Sequence, residues 1–485
     1  MRRERNLKRR FRNRRAAISL LSAALALGVG TAFAAAPSAK LVGDWRVETE
    51  VAPGKTVAFD VAPTTWKTVV DEKYDALPTF NPGGAPWAKG QVLNAVDACE
   101  CAVAGALDPA SVVVKLAATG ETLERGKDYQ FDDAWSALGR LDGGKIAAND
   151  AVLISYRCVE SRIDSLVLNA DGSTEVLKGE GRVLSPQPPT LKKGQKRLVN
   201  VYTTGPIAKL SEGNVFPIDE AFAEANPGDV DAFVSGVARF NADPKNGVPA
   251  VPSVSDVGAA KRFLPKTWAK LTSGAEVRIL AWGDSVTACG YIPDECRWQV
   301  RFVERLRKLF PQAKITLMTE AWGGRSSDSY RAEPPGSAKN YAEKVLALKP
   351  DLIISEFVND AYMNEETVAR RYGEMRADFE NIGAEWVIMG PHYVRPDWMG
   401  LTSERNCDAD PRQLTRGLRN FCADNEIPFA DAPTLYGKLH RAGVPYLTLM
   451  TNNINHPDAF GMELFAIAAA RLFEVAETAE KAQAK

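Results

Sequence analysis

The stretch Leu280-Ala281-Trp282-Gly283-Asp284-Ser285-Val286 marks the place where a buried strand ends in a sharp turn. The apolar run from Val277 to Trp282 is typical of a strand in a parallel sheet, and Gly283 interrupts it where the backbone must bend. Ligands of open α/β sheets bind beside the carboxyl ends of the strands. We therefore expect the hydroxyl of Ser285 at the rim of a sheet, although the four residues 283–286 taken alone favour a plain connecting turn.

Three later stretches give this turn a chemical meaning. Glu320–Ser327, which contains Gly323-Gly324, and Phe357-Val358-Asn359-Asp360 each follow a short apolar run, and Asn453-Ile454-Asn455-His456-Pro457 precedes the last predicted helix. With Gly283–Val286, these stretches resemble in order and spacing the four sequence blocks of the SGNH hydrolases, the GDSL-type esterases and lipases. The resemblance covers roughly the last 220 residues and implies a flavodoxin-like three-layer α/β/α domain with a parallel sheet.

The resemblance implies a role for each block. Ser285 is the expected nucleophile and His456 the expected base, because a serine hydroxyl needs a neighbouring group that takes its proton near neutral pH. The amides of Ser285 and Gly324 and the side chain of Asn359 are expected to hold the oxyanion, with Gly323 an equally good alternative for the second amide. No cofactor or metal is expected.

The sequence departs from the pattern of the family at two positions. Phe357 stands where a glycine is usual, and Asn453 stands where the family has the aspartate that orients the histidine. Three interpretations stay open: Asn453 or a backbone carbonyl orients the ring, another carboxylate such as Asp458 does so, or activity is low. We favour the first, so Asn453 is included among the expected catalytic residues.

The expected substrate is an acylated, in particular acetylated, carbohydrate. Gly323-Gly324-Arg325-Ser326 resembles the matching stretch of sugar acetylesterases, and Trp282, Trp322, Arg325 and His392 are the expected substrate contacts. Two alternatives use the same residues or the same fold. One is a lipase or thioesterase that acts on longer acyl chains, and the other is a carbohydrate-binding protein without activity.

The amino terminus predicts export to the periplasm or beyond. Residues 2–15 hold nine basic residues and one acid, an apolar stretch follows at 16–30, and Ala32-Phe33-Ala34 offers small residues where a signal peptidase cleaves. Without residues 1–36 the net charge changes from −1 to about −9. An acidic protein of this kind is not expected to bind nucleic acid or a membrane surface. The expected partner is therefore a small-molecule or polysaccharide ester.

The rest of the chain predicts two further regions. Residues 37–216 hold short runs of alternating β-branched and aromatic residues, with a hairpin signal at Asp171-Gly172, and predict a β-rich, sandwich-like accessory domain. A linker is expected at 217–263 and the hydrolase domain at 264–485. Seven cysteines in an exported chain permit disulfides, and the pairs expected first are Cys289 with Cys296, Cys407 with Cys422, and Cys158 with Cys99 or Cys101.

Overall fold

The structure, a computed structural model, describes residues 39–219, 230–247 and 257–475. These residues belong to one compact unit. The expected signal peptide at 1–36 and parts of the expected linker at 217–263 lie outside them. The export signal and the domain boundaries therefore stay predictions.

Antiparallel strands build the first half of the described chain, as its alternating pattern predicts. The strands are β1 (Lys40–Gly43), β2 (Arg46–Ala52), β3 (Lys55–Asp60), β4 (Trp66–Tyr74), β5 (Gln91–Val92), β6 (Asp97–Ala98), β7 (Cys101–Ala102), β8 (Val113–Leu116), β9 (Tyr129–Phe131), β10 (Ala137–Arg140), β11 (Val152–Val159), β12 (Arg162–Leu168), β13 (Thr174–Leu177), β14 (Lys196–Thr203) and β15 (Val215–Pro217). They form separate small sheets, in the orders β1-β2-β3, β5-β10-β9, β4-β11-β8 and β13-β12-β14-β15, and the hairpin β6-β7.

Two hydrophobic cores hold these sheets together. In one, Val47 and Phe59 of β2 and β3 pack with Leu166 and Val199 of β12 and β14, so two sheets lie face to face. The other lies among the β4-β11-β8 and β5-β10-β9 sheets and the β6-β7 hairpin. The hairpin predicted at Asp171-Gly172 is confirmed, because it joins β12 to β13. This half of the chain therefore has its own cores, to one of which Ile454 of the second half also belongs.

The second half contains a five-stranded parallel sheet covered by helices. Its strands are β16 (Glu276–Gly283), β17 (Lys314–Ala321), β18 (Leu352–Glu356), β19 (Glu385–Met389) and β20 (Phe429–Ala430). The helices are α1 (Val230–Ala242), α2 (Ala259–Phe263), α3 (Pro265–Ser273), α4 (Ser285–Ala288), α5 (Trp298–Leu309), α6 (Ser327–Ala332), α7 (Tyr341–Lys344), α8 (Glu365–Asn381), α9 (Gln413–Asn425), α10 (Ala432–Lys438) and α11 (Ala459–Arg471). The spatial order β17-β16-β18-β19-β20 is that of a flavodoxin-like sheet, so the predicted fold class is confirmed.

The central strand β16 shows how this sheet is buried on both faces. Ile279 and Ala281 point to the side covered by α5 and α11, whereas Leu280 and Trp282 point to the side covered by α8 and α9. A strand buried on both faces reads as a continuous apolar run. The apolar run that ends at Gly283 therefore marks a strand in the middle of the sheet and the turn at its carboxyl end.

In the sequence, Asn364 and Asp410 stand where the N-caps of two predicted helices belong, and the structure gives them different outcomes. Asn364 caps α8 as expected, because its side chain accepts the Thr367 amide at 2.8 Å. Asp410 was expected to cap α9, which is wrong: the cap is Arg412, and Asp410 instead binds the amide and the guanidinium of Arg412. All seven cysteines are described and none forms a disulfide, so the expected pairs are also wrong in this structure.

Candidate active site

The turn after β16 places Ser285 at the carboxyl end of the sheet. A Cβ atom at Gly283 would lie 2.4 Å from the carbonyl oxygen of Glu356 and 2.2 Å from Oγ1 of Thr287, so only glycine fits there. Asp284 caps α4 by accepting the Val286 amide at 3.0 Å. Ser285 is the first residue of that helix and is half-buried, which leaves its hydroxyl accessible at the rim.

Buried carboxylates hold the neighbouring loops against this turn. Oδ2 of Asp284 accepts the backbone amide of Asn359 at 2.9 Å and its side-chain amide at 3.0 Å. Asp360 accepts the Ser327 amide at 2.9 Å and the Ser327 hydroxyl at 2.7 Å. The loops after β16, β17 and β18 are therefore tied together beneath the nucleophile, and both aspartates brace turns.

The same carboxyl groups have perturbed protonation. Burial raises the pKa of Asp284 to about 7 and that of Asp360 to about 6, against the lowering effect of their amide donors. Burial also raises the pKa of Glu356 well above its usual value, and the nearby Asp284 carboxyl adds to the shift. These three groups form a buried acidic cluster directly under the site.

The donors expected to hold an oxyanion lie around this turn. In the part of the chain that the structure describes, the amides of Ser285 and Gly324 donate to no other residue. One N–H of the Asn359 side chain is engaged with Asp284, and the second is available. A Cβ atom at Gly323 would lie 3.8 Å from Cβ of Ser285, and Gly324 follows at a positive φ of 71°. The glycine pair thus lies against the nucleophile.

His456 faces Ser285 across the site. Its Nε2 lies 3.1 Å from Oγ of Ser285, and its ring stacks on Tyr291 with centroids 4.4 Å apart and planes 2° from parallel. Oδ1 of Asn452 accepts the amides of residues 454, 455 and 456 and so fixes the loop that carries the ring. Burial lowers the pKa of His456 below the ordinary histidine value, which favours the neutral ring that a base requires.

The other ring nitrogen of His456 meets a residue from the first half of the chain. Nδ1 lies 2.7 Å from Oε2 of Glu100, which belongs to the turn between β6 and β7. Asn453 was expected in this place, and that prediction is wrong: its backbone is left-handed at a φ of 55°, and its side chain makes no hydrogen bond within the described residues. Asp458 is not the acid either, because it caps α11 and accepts from Asn241.

Two of the expected substrate contacts are also wrong. Trp282 is fully buried in the sheet core, where its ring packs against that of Phe357 with centroids 4.7 Å apart. This packing also accounts for the phenylalanine at position 357, where the family usually has glycine. His392 is fully buried, and its Nε2 lies 2.7 Å from the carbonyl oxygen of Asn455. Burial lowers the pKa of His392 to about 3, so the ring is neutral and supports the loop of His456.

The remaining expected contacts lie at the rim. The amide of Trp322 donates to the Gly283 carbonyl at 3.1 Å, which places this residue beside the nucleophile turn. Arg325 is exposed, and its guanidinium lies over the Trp322 ring, 5.0 Å from the centroid. Both side chains are thus positioned where a substrate could reach them.

Sequence reasoning missed two residues of this site, Glu100 and Tyr291. Tyr291 follows the nucleophile helix by three residues, but nothing in its surroundings distinguishes it from a core tyrosine. Glu100 lies in a two-residue turn of the other half of the chain, and no motif marks it. A contact between such distant residues has no sequence signal when one sequence is read alone.

Two features are absent from the residues that the structure describes. Within residues 39–219, 230–247 and 257–475, no group of three or more histidine, cysteine, aspartate or glutamate side chains is arranged to hold a metal ion. In the same ranges, no helix has the length and the apolar content needed to cross a bilayer.

Comparisons with known proteins give a partial likeness. No protein-family model matches the chain, and no curated protein matches it. Among solved structures the chain is similar to a two-domain esterase active on acetylated mannans, at 19% identity and a TM-score of 0.35, over 43% of this chain and 52% of that one. It is also similar to an acetylxylan esterase from Geobacillus stearothermophilus, at 17% identity and a TM-score of 0.33, over 41% of this chain and 94% of that one. The chain thus spans about half the length of the two-domain esterase.

Proposed function

We propose that this chain is a serine esterase of the SGNH type that removes acetyl groups from a carbohydrate. The observation that carries the proposal is the distance of 3.1 Å between Oγ of Ser285 and Nε2 of His456. At this distance the ring can take the hydroxyl proton directly. A hydroxyl paired with an imidazole beside unengaged amides is the arrangement that acyl transfer requires.

The proposed reaction has two halves. Oγ of Ser285 attacks the ester carbonyl while Nε2 of His456 takes its proton, and the amides of Ser285 and Gly324 with Asn359 stabilise the oxyanion. His456 then gives the proton to the departing sugar oxygen, which leaves an acetyl group on Ser285. Water, deprotonated by His456, attacks this acyl-enzyme, and the ring returns the proton to Oγ as acetate departs. Atoms and protons balance without a cofactor.

A surface next to the loop of His456 supports a carbohydrate substrate. Trp398 is 48% exposed and lies 5.9 Å from Trp87, which in turn packs on Trp135 at 5.5 Å. The amide of Arg395, three residues before Trp398, donates to the carbonyl of Ile454, two residues before His456. Exposed tryptophan rings stack well on the apolar faces of sugars.

We further propose that the protein acts outside the cytoplasm, which amino-terminal sequencing of the mature protein tests.

Acetate release from a set of acetylated polysaccharides tests the proposed activity. The natural protein is expected to release acetate, and Ser285→Ala is expected to lose the release while keeping its thermal midpoint. A fluorophosphonate probe should label the natural protein and leave Ser285→Ala unlabelled. Absence of both release and labelling would favour a carbohydrate-binding protein without activity.

A panel of p-nitrophenyl esters tests the size of the acyl group. The acetyl ester is expected to have the highest kcat/KM, since the proposed substrate carries a two-carbon acyl group. A maximum at eight carbons or more would contradict the acetylesterase proposal and favour a lipase or thioesterase.

Substitution of Trp398 tests the carbohydrate surface. Trp398→Ala is expected to raise KM for a polymeric substrate about 2- to 10-fold, the effect of one lost stacking contact, and to leave p-nitrophenyl acetate hydrolysis unchanged. Trp66→Ala is the matched control, because Trp66 is 41% exposed on β4, where Arg157 lies 5.2 Å from its ring centroid. If both substitutions raised KM for the polymeric substrate equally, the surface around Trp398 would no longer support a carbohydrate substrate.

A further inference from the structure

The hairpin β6-β7 of the antiparallel half reaches the loop that carries the candidate base. The amide of Cys99 donates to the carbonyl of Thr451 at 3.1 Å, and Sγ of Cys101 donates to the carbonyl of Asn452 at 3.1 Å. These two residues flank Glu100 in the chain. Glu100 is therefore held on both sides against the loop of His456.

A third contact anchors the loop in the same half of the chain. Ile454 is 3% exposed and belongs to the hydrophobic core formed by the strands of the antiparallel half, with Leu93, Val96 and Cys101 among its members. The hairpin and the loop thus pack as parts of one surface, and the position of Glu100 relative to His456 is set by the backbone.

The backbone of Glu100 has a conformation that its residue type disfavours. Its φ is +70°, in the left-handed region, where glycine and asparagine are the common choices. The two-residue turn between Ala98 and Cys101 would form more easily with glycine at this position. A non-glycine residue that keeps such a conformation points to a use of its side chain. Here the side chain extends to 2.7 Å from Nδ1 of His456.

We propose that Glu100 is the carboxylate that positions His456 and stabilises its charged form, so that the two halves of the chain share one Ser-His-Glu triad. This inference rests on the proposed esterase function. As Ser285 attacks, its proton moves to Nε2, and the carboxylate beside Nδ1 stabilises the resulting imidazolium without taking a proton itself. Glu100 acts through His456 and is a positioning residue. The antiparallel half is then required for turnover, beyond any part in binding substrate.

The surroundings of His456 make its titration a suitable readout. The titratable groups that face the ring are Ser285 and Tyr291 on the nucleophile side, His392 behind the loop, and Glu100. Burial lowers the pKa of His456, and the Glu100 carboxylate raises it as the opposing influence. Removing that charge should therefore lower the pKa further. Since the base must be neutral, the acidic limb of the rate profile should move to lower pH.

Three substitutions of Glu100 in the full chain test the inference. Glu100→Gln is expected to lower kcat for p-nitrophenyl acetate about 10- to 10³-fold, with KM nearly unchanged and the acidic limb of the pH profile moved to lower pH. We expect a smaller loss of kcat than the roughly 10⁴-fold loss that follows replacement of the acid in a fully buried triad, because the Glu100 side chain is 58% exposed. Glu100→Asp should keep more activity than Glu100→Gln. Glu100→Gly should lose as much rate while its thermal midpoint stays equal or rises, because glycine suits the turn.

A matched control comes from the same hairpin. Asp97 carries a carboxyl group on β6 and makes no contact with His456 in the described chain, so Asp97→Asn should turn over as the natural protein does. A Glu100→Gln rate within twofold of the natural protein, with an unchanged pH profile, would overturn the inference. A rate loss in Glu100→Gly that comes with a lowered thermal midpoint would also overturn it, as a purely structural effect.

Ser285→Ala separates this inference from the function on which it rests. If Ser285→Ala abolishes hydrolysis and Glu100→Gln does not reduce it, only the shared triad is wrong. If Ser285→Ala remains active, the esterase proposal itself fails.

Discussion

The two sides of the candidate site are built in different ways. On the nucleophile side, Asp284 braces the turn of Ser285 and binds Asn359, and Asp360 braces the neighbouring turn of Ser327. These residues all lie in turns at the carboxyl edge of one parallel sheet. On the base side, His456 lies in a loop that is held by its own Asn452 and by His392, and in addition by a hairpin more than 350 residues earlier in the chain. Short stretches after strands therefore determine one side, whereas the other side also depends on a tertiary contact between the two halves.

This difference has a consequence for chemistry. The nucleophile turn is fixed by buried hydrogen bonds in which every partner belongs to the same sheet region, so its geometry depends on that fold alone. The orientation of the base depends on how the antiparallel half docks on the loop at 450–457. Substitutions on the two sides should therefore have separable effects, and four experiments test this.

The largest effect is expected from His456. His456→Ala should lower kcat for p-nitrophenyl acetate by about 10⁴-fold or more, because Ser285 then has no base for its proton. The double variant Ser285→Ala/His456→Ala should be no slower than either single variant, since the two groups act as a unit. A double variant that loses far more than either single one would mean that the two sides contribute independently.

The next effect is expected from Asn359 on the nucleophile side. Asn359→Ala should lower kcat about 10²- to 10³-fold through the loss of one oxyanion donor, with KM little changed. Asn364→Ala is the matched control, because Asn364 caps α8 and its loss should lower the free energy of unfolding by about 1 kcal/mol without changing the rate. Steady-state kinetics and chemical unfolding of both variants measure the contrast. Similar rates in the two would show that Asn359 serves only the turn.

A smaller effect is expected in the pH dependence of stability. Burial raises the pKa of Asp360 to about 6, above the roughly 3.9 of an unfolded aspartate, so the folded state binds more protons between these values. Its contribution to folding is therefore present at pH 4 and is lost as pH rises through about 6. Asp360→Asn removes the carboxyl group and with it this pH-dependent contribution to the stability of the folded state.

Thermal midpoints at pH 5 and pH 8 measure this contribution. Asp360→Asn should destabilise the protein more at pH 5 than at pH 8, by a difference of about 1 to 2 °C in the thermal midpoint. Because the comparison is made against the natural protein at each pH, the titration of groups that do not interact with Asp360 cancels. An equal destabilisation at both values would mean that Asp360 is ionised throughout and braces the Ser327 turn as a carboxylate.

The same contrast explains what the sequence could and could not predict. Ser285, Asn359 and the parallel strands were predictable because each strand carries its own apolar run and each site residue follows a strand directly. Trp282 was placed wrongly because a run buried on both faces does not show which side a residue takes. Glu100 was missed because a two-residue turn in the other half has no pattern that names its partner. The cysteine pairs failed for a similar reason, since separation along the chain does not fix separation in space.

The smallest effect is expected at Asn453, where the family resemblance had placed the orienting residue. Asn453→Gly should keep kcat/KM within about threefold, because the side chain makes no hydrogen bond to the ring within the described residues. It should stabilise the protein by up to about 1 kcal/mol, since glycine adopts a φ of 55° without strain.

The neighbouring residue supplies the contrast for Asn453. Asn452→Ala removes the acceptor of three loop amides and should lower the free energy of unfolding by about 1 to 3 kcal/mol, together with the rate. If Asn453→Gly instead lost 10²-fold or more in rate with its stability unchanged, Asn453 would orient the ring. The base side would then be determined by its own loop, as the nucleophile side is by its turn, and the antiparallel half would have no part in positioning His456.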